Sequence, residues 1–81
     1  MKLNYYPETD TLYIDFRDEP AAQTEEIAYN VLVDYNAQRQ IVGLTIDGAS
    51  EQIDLAAVEL NELPNVQVRA RSTVPVSSPA S

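Results

Sequence analysis

Two apolar alternations flank a block of turn residues near the start of this chain, and that pattern leaves few choices of fold. Leu3 and Tyr5 alternate with polar neighbours, Pro7-Glu8-Thr9-Asp10 supplies turn chemistry, and Leu12, Ile14 and Phe16 alternate again. Successive side chains on a strand point to opposite faces, so the pattern describes a β-hairpin with one apolar face. A four-residue loop sets Tyr6 opposite Thr11, Tyr5 opposite Leu12, and Leu3 opposite Ile14. A slip of one residue would turn the apolar set to the wrong face, so the register is strongly specified.

Val31-Leu32-Val33-Asp34-Tyr35 and Ile41-Val42-Gly43-Leu44-Thr45-Ile46 read as a second hairpin around Asn36-Ala37-Gln38-Arg39. A four-residue loop there pairs Val33 with Val42, Val31 with Leu44 and Tyr29 with Ile46. The opposite face then carries Leu32 and Ile41, with Tyr13 from the first hairpin. A sheet covered on one side only should be polar there. Between the hairpins Asp18-Glu19-Pro20 ends a strand, and residues 21–28 leave a loop and a short edge strand both open. Glu25 and Glu26 suit an edge, where charge discourages pairing between sheets.

After Gly48, a bend, Ser50 reads as a helix N-cap with Glu51 in the first turn. Ile53, Ala56, Ala57, Leu60 and Leu63 follow the spacing of one helix face, which predicts an amphipathic helix over residues 51–63, ended by Pro64. Val66-Gln67-Val68-Arg69 alternates and suits a last strand over 66–70. From Ser72 the chain is rich in Ser and Pro and has little to bury, so a flexible tail is expected over 72–81. The fold class expected is α+β: one small domain over residues 1–71, an antiparallel sheet of four to five strands from two β-hairpins with one packed α-helix.

An 81-residue chain buries a thin core. Small folds often add disulfides, metals or oligomerisation, and this one has no Cys and no His. That excludes thiolate and imidazole chemistry and the usual zinc ligand sets. Oligomerisation or a protein partner is the remaining support. Thirteen acids face five bases, for a net charge of −8, and the excess is spread along the chain. Such a balance disfavours nucleic acid and anionic membrane surfaces; solubility alone explains it more readily, and the functional reading is a basic protein partner. No apolar run suggests a signal peptide or a membrane span, so a cytoplasmic location is expected.

Tyr5-x-Pro7-Glu8-x-Asp10-x-Leu12-Tyr13-Ile14, then Val33-Asp34-Tyr35, then Ile41-Val42-Gly43-Leu44-x-Ile46-x-Gly48-Ala49-Ser50 resembles the small bacterial proteins of domain-of-unknown-function family 2283. The likeness covers residues 1–50. It implies a compact antiparallel hairpin domain with no established activity and transfers no functional residues. Some members stand beside a toxin-like gene of another uncharacterised family, which implies an antitoxin role. Members often carry an Asp/Gly-rich second turn, whereas Arg39 occupies the usual glycine position here. A positive φ at that position would cost a non-glycine residue energy.

Few constellations offer chemistry. Asp34-x-Asn36-x-Gln38 has the opening spacing of a calcium loop, but Arg39 stands where the loop needs Gly and Thr45 where it needs a bidentate Glu. Asp15, Asp18 and Glu19 form the densest acid cluster and are candidates for a divalent metal or a small metal-dependent hydrolase. A solvated turn competes with that reading. No nucleophile has an evident base, and two glycines do not make a phosphate loop. The expectation is therefore a non-enzymatic protein without a cofactor, acting through protein–protein contacts as a homo-oligomer or with a basic partner. Tyr13, with Tyr6, Leu32 and Ile41, is the candidate interface, since Tyr is enriched in such surfaces. Plain packing explains Tyr13 equally well.

Overall fold

The computed structural model describes residues 1–71, and the Ser/Pro tail expected over 72–81 lies outside the described residues. Five strands, β1 (Lys2–Tyr6), β2 (Thr11–Asp15), β3 (Gln23–Ala28), β4 (Val31–Tyr35) and β5 (Ile41–Asp47), precede one short helix, α1 (Ala49–Gln52). The strands form one antiparallel sheet in the order β1-β2-β5-β4-β3. The α+β expectation therefore shifts towards a mostly β fold.

The first hairpin has the expected register throughout, with Tyr6 opposite Thr11, Tyr5 opposite Leu12 and Leu3 opposite Ile14. Within residues 21–28, Gln23–Ala28 form the edge strand β3. The second hairpin differs by two residues: Val33 faces Leu44 and Val31 faces Ile46. Tyr29 is not in a strand but in the exposed Tyr29-Asn30 turn between β3 and β4. Two one-residue displacements account for the difference. The turn closes on a different pair than expected, with Asn36 N–H on the Gln40 carbonyl (2.9 Å) and Arg39 N–H on the Asn36 carbonyl (3.0 Å), so residues 37–39 form the loop and Tyr35 meets Ile41 instead of Gln40. Arg39 takes φ 64°, as the αL residue of such hairpin turns does. A bulge then follows, because Asp34 faces Gly43 while Tyr35 faces Ile41, leaving Val42 as the extra residue.

Asn36 holds this end of the sheet together. Its side-chain oxygen accepts from the Gln38 and Gln40 N–H groups at 3.0 and 2.9 Å, and its amide donates to Glu19 and Gln40 at 2.8 and 2.9 Å. It is the buried polar side chain among the described residues, and every one of these bonds compensates its removal from water.

The core lies on the face shared by Leu12, Ile14, Leu44 and Ile46. Leu12, Ile46 and Ala49 form its buried centre, with Ile14, Leu44, Ile53 and Leu55 packed against them. Val33 and Val42 are buried beside the bulge. Burying a Leu or Ile side chain contributes about 1.5–3 kcal/mol, so a core this small leaves little margin.

The helix expected over 51–63 stops at Gln52, and no strand forms over 66–70. Ser50 is not the N-cap; Gly48 is, at φ 62°. Isolated helices of this length are marginal in water. Here Ile53 turns extended (φ −136°, ψ 160°), and the Asp54 carboxylate accepts the Ala56 N–H at 3.0 Å, a local turn that competes with helix. Ile53 and Leu55 then reach the core around an exposed Asp54, a strand-like spacing of two. Core contact has won over helix periodicity.

Replacing Asn36 by Ala should cost about 2–3 kcal/mol, since it breaks a buried, fully bonded group. Urea denaturation should show a lower midpoint with an unchanged slope; an unaltered midpoint would show that the turn does not depend on Asn36.

Candidate functional site

Sheet alternation places Tyr6, Tyr13 and Leu32 on the face away from the core, because Tyr6 faces Thr11, Tyr13 faces Thr45 and Leu32 faces Thr45 from the other side. Ile41 does not join them. The bulge at Val42 reverses its side, and it lies opposite Tyr35, which shares its face with Val31 and Val33. The four candidates therefore do not make one patch.

Tyr13 is held rather than free. Its ring crosses Gly43, where a Cβ would collide with the phenol, and its hydroxyl donates to Asp34 Oδ2 at 3.2 Å. Thr24 donates to the other Asp34 oxygen at 2.6 Å. Desolvation, followed by the Asp34 hydrogen bond and charge, pushes the Tyr13 phenol above its ordinary pKa. Gly43 is thus required because an aromatic ring from the neighbouring strand occupies the space above it.

A second lock joins the first turn to the end of β5. Asp10, at φ 55°, accepts the Tyr5 hydroxyl at 2.7 Å, the Ser50 hydroxyl at 2.7 Å and the Ser50 N–H at 3.1 Å. Its carbonyl accepts the Ala49 N–H at 2.8 Å. Asp10 therefore caps α1 from 40 residues away, satisfying N–H groups that a helix start leaves without partners. The Tyr5 and Ser50 hydrogen bonds hold its carboxyl below the usual range.

The acid cluster does not assemble. Glu19 places one oxygen on Arg17 at 3.0 Å and the other on Asn36, and the Asn36 bond leads in lowering its pKa. Asp15 and Asp18 line a small surface hollow with Lys2 and Arg17, so cations already stand beside them. Among the described residues, no three Asp, Glu, His or Cys side chains are placed to hold a metal ion.

An apolar opening lies on the core face. A shallow apolar groove of about 410 Å³ runs between Leu3, Tyr5 and Leu12 on the sheet and Ile53, Leu55 and Val58 beyond α1, with Asp54 at its side. Leu3 and Val58 are 53% and 71% exposed, so this apolar surface is reachable. Sequence reasoning missed the groove because the expected helix would have occupied that face.

The family model described as "Protein of unknown function (DUF2283)" matches residues 2–50, more than half of the chain. The chain belongs to this family. No curated protein and no solved structure matches it. The DUF2283 match begins with β1 and ends at Ser50, the residue that Asp10 holds. Tyr5, Asp10 and Ser50 in one lock, and Tyr13, Asp34 and Gly43 in the other, account for many of the motif positions by structure alone. Among the described residues, no helix is long and apolar enough to cross a membrane.

Asp10 and Glu19 both have lowered pKa values in the folded protein, so their stabilisation is present above the ordinary carboxylate range and is lost as pH falls through the folded values. The melting temperature should fall between about pH 5 and about pH 2. Asp10→Asn and Glu19→Gln should each flatten that fall, and an identical profile in the double variant would refute the assignment.

Tyr13→Phe should cost about 1 kcal/mol, the size of one hydrogen bond. In a Gly43→Ala background, where the ring is displaced from Asp34, the same change should cost almost nothing. A double-mutant cycle by chemical denaturation reads the difference, and strict additivity would dissolve the lock.

Proposed function

We propose that this chain is a non-enzymatic interaction module that docks a basic protein across its half-open core face. The groove between β1, β2 and the segment after α1 carries the reading. An exposed apolar surface beside an acidic side chain, in a chain of net charge −8, suits a partner that presents an apolar anchor within a positive surface. The composition favours a non-enzymatic role, since the chain has no His or Cys. An antitoxin-like role, with a basic toxin as the bound protein, is the specific form of this reading and draws on the family resemblance. The carboxylate metal-site alternative finds no support in the arrangement of Asp15, Asp18 and Glu19.

The test is co-purification of the native protein with its partner, followed by calorimetry on the recovered pair. A basic protein should be recovered, and its affinity should fall as salt rises. Val58→Asp, at an exposed position, should weaken binding at least about five-fold without altering the melting temperature. Recovery of no basic protein, or an affinity indifferent to both salt and Val58→Asp, would end the proposal.

A further inference from the structure

The two edges of the sheet are protected very differently. At β3, Glu25 and Glu26 place charge on the edge, and a register shift interrupts the strand between Glu26 and Ala28. Arg39 adds to this from the neighbouring turn, bonding Gln23 at 2.8 Å and Glu25 at 2.9 Å while its guanidinium stacks 4.3 Å from the Tyr35 ring centre. Charge and bulges of this kind discourage a second strand from adding to an edge. At β1 these devices are reduced to one terminal charge among the described residues. All five residues are exposed, the register with β2 is unbroken, no proline interrupts the strand, and its single charge, Lys2, sits at the very start.

The sequence of β1 is also complementary to itself. When Lys2–Tyr6 is laid antiparallel against a second Lys2–Tyr6, Asn4 faces Asn4, Leu3 faces Tyr5, and Lys2 faces Tyr6. The Leu3–Tyr5 pairs fall on the core face, where aliphatic–aromatic pairs across strands are favourable. The Asn4 pair falls on the other face and can exchange amide hydrogen bonds. Each Lys2 meets a Tyr6 at the ends of the pairing. Leu3 and Tyr5 line the apolar groove as well, so the pairing continues that groove from one copy into the next.

We propose that β1 pairs antiparallel with β1 of a second copy of this chain, about a two-fold axis at Asn4, joining the two sheets into one. The inference rests on the reading of the chain as an interaction module and names a second copy as one of its partners. It uses the backbone edge, and the basic partner uses the groove.

Sedimentation equilibrium of the purified full chain provides the test. The wild type should be a dimer at micromolar concentration, and added salt should strengthen it, because screening relieves the repulsion between two copies of charge −8. The proposed basic partner should respond to salt with the opposite sign, so either reading can fail without the other. Asn4→Lys and Asn4→Asp each set like charges face to face at the axis and should weaken the dimer about five-fold or more. Circular dichroism checks that both stay folded, as expected for an exposed position. An equal mixture of the two should recover the dimer, since Lys then faces Asp. A monomeric wild type, a dimer indifferent to both substitutions, or a mixture that stays monomeric would each overturn the proposal.

Discussion

The pairing of β2 with β5 is the contact on which the rest of the sheet depends. It sets Leu12 against Ile46 and Ile14 against Leu44, and so joins the first hairpin to the β3-β4-β5 meander. Apart, neither piece has a covered apolar face, and an isolated two-stranded hairpin is marginal in water. Polar bonds bracket the seam. Thr11 donates to Asp47 at 3.1 Å at one end, and Phe16 N–H donates to the bulged Val42 carbonyl at 2.9 Å at the other. The Asp10 lock lies just beyond Thr11 and fastens the chain that follows β5 to the turn that precedes β2.

The first hairpin was legible because its turn length and its apolar pattern agree. The second was legible only in outline. Its turn and its bulge each shift the register by one residue, and two shifts return Leu44 and Ile46 to the expected face. Hydrophobic alternation reads only which face a residue takes, so it could not see the pair of shifts. Ile41 sits between them and is the residue misplaced as a result. The underlying signals are local: Asn36 bonding the N–H groups that follow it, and Arg39 in a conformation usually reserved for glycine. The helix failed for another reason. Its periodicity was real, but Ile53 and Leu55 are drawn to the core at strand-like spacing.

The candidate surface was less legible than the fold. Tyr5, Asp10, Gly43 and Ser50 were visible as motif positions, yet their bonding across the chain has no signature in spacing. The groove exists because no long helix covers Leu3 and Leu12. The difference between the two edges, by contrast, can be read from residues alone once their places in the sheet are known: β3 carries Glu25 and Glu26, whereas β1 is almost without charge.

The Asp10 lock also bears on the time course of folding. Tyr5 and Asp10 meet within one hairpin, but Ser50 comes from 40 residues away and Asp47 reaches Thr11 across 36. Closing such loops costs entropy before any contact rewards it, whereas the hairpins close locally and early. The Ser50–Asp10 bonds close the longest loop of any side-chain hydrogen bond among the described residues, and loop-closure entropy favours their late formation. Bonds of that kind leave the speed of folding almost unchanged and act on escape from the native state. For a chain with so small a core, a late-forming Asp10 bond would act on how long the folded state lasts rather than on how fast it forms.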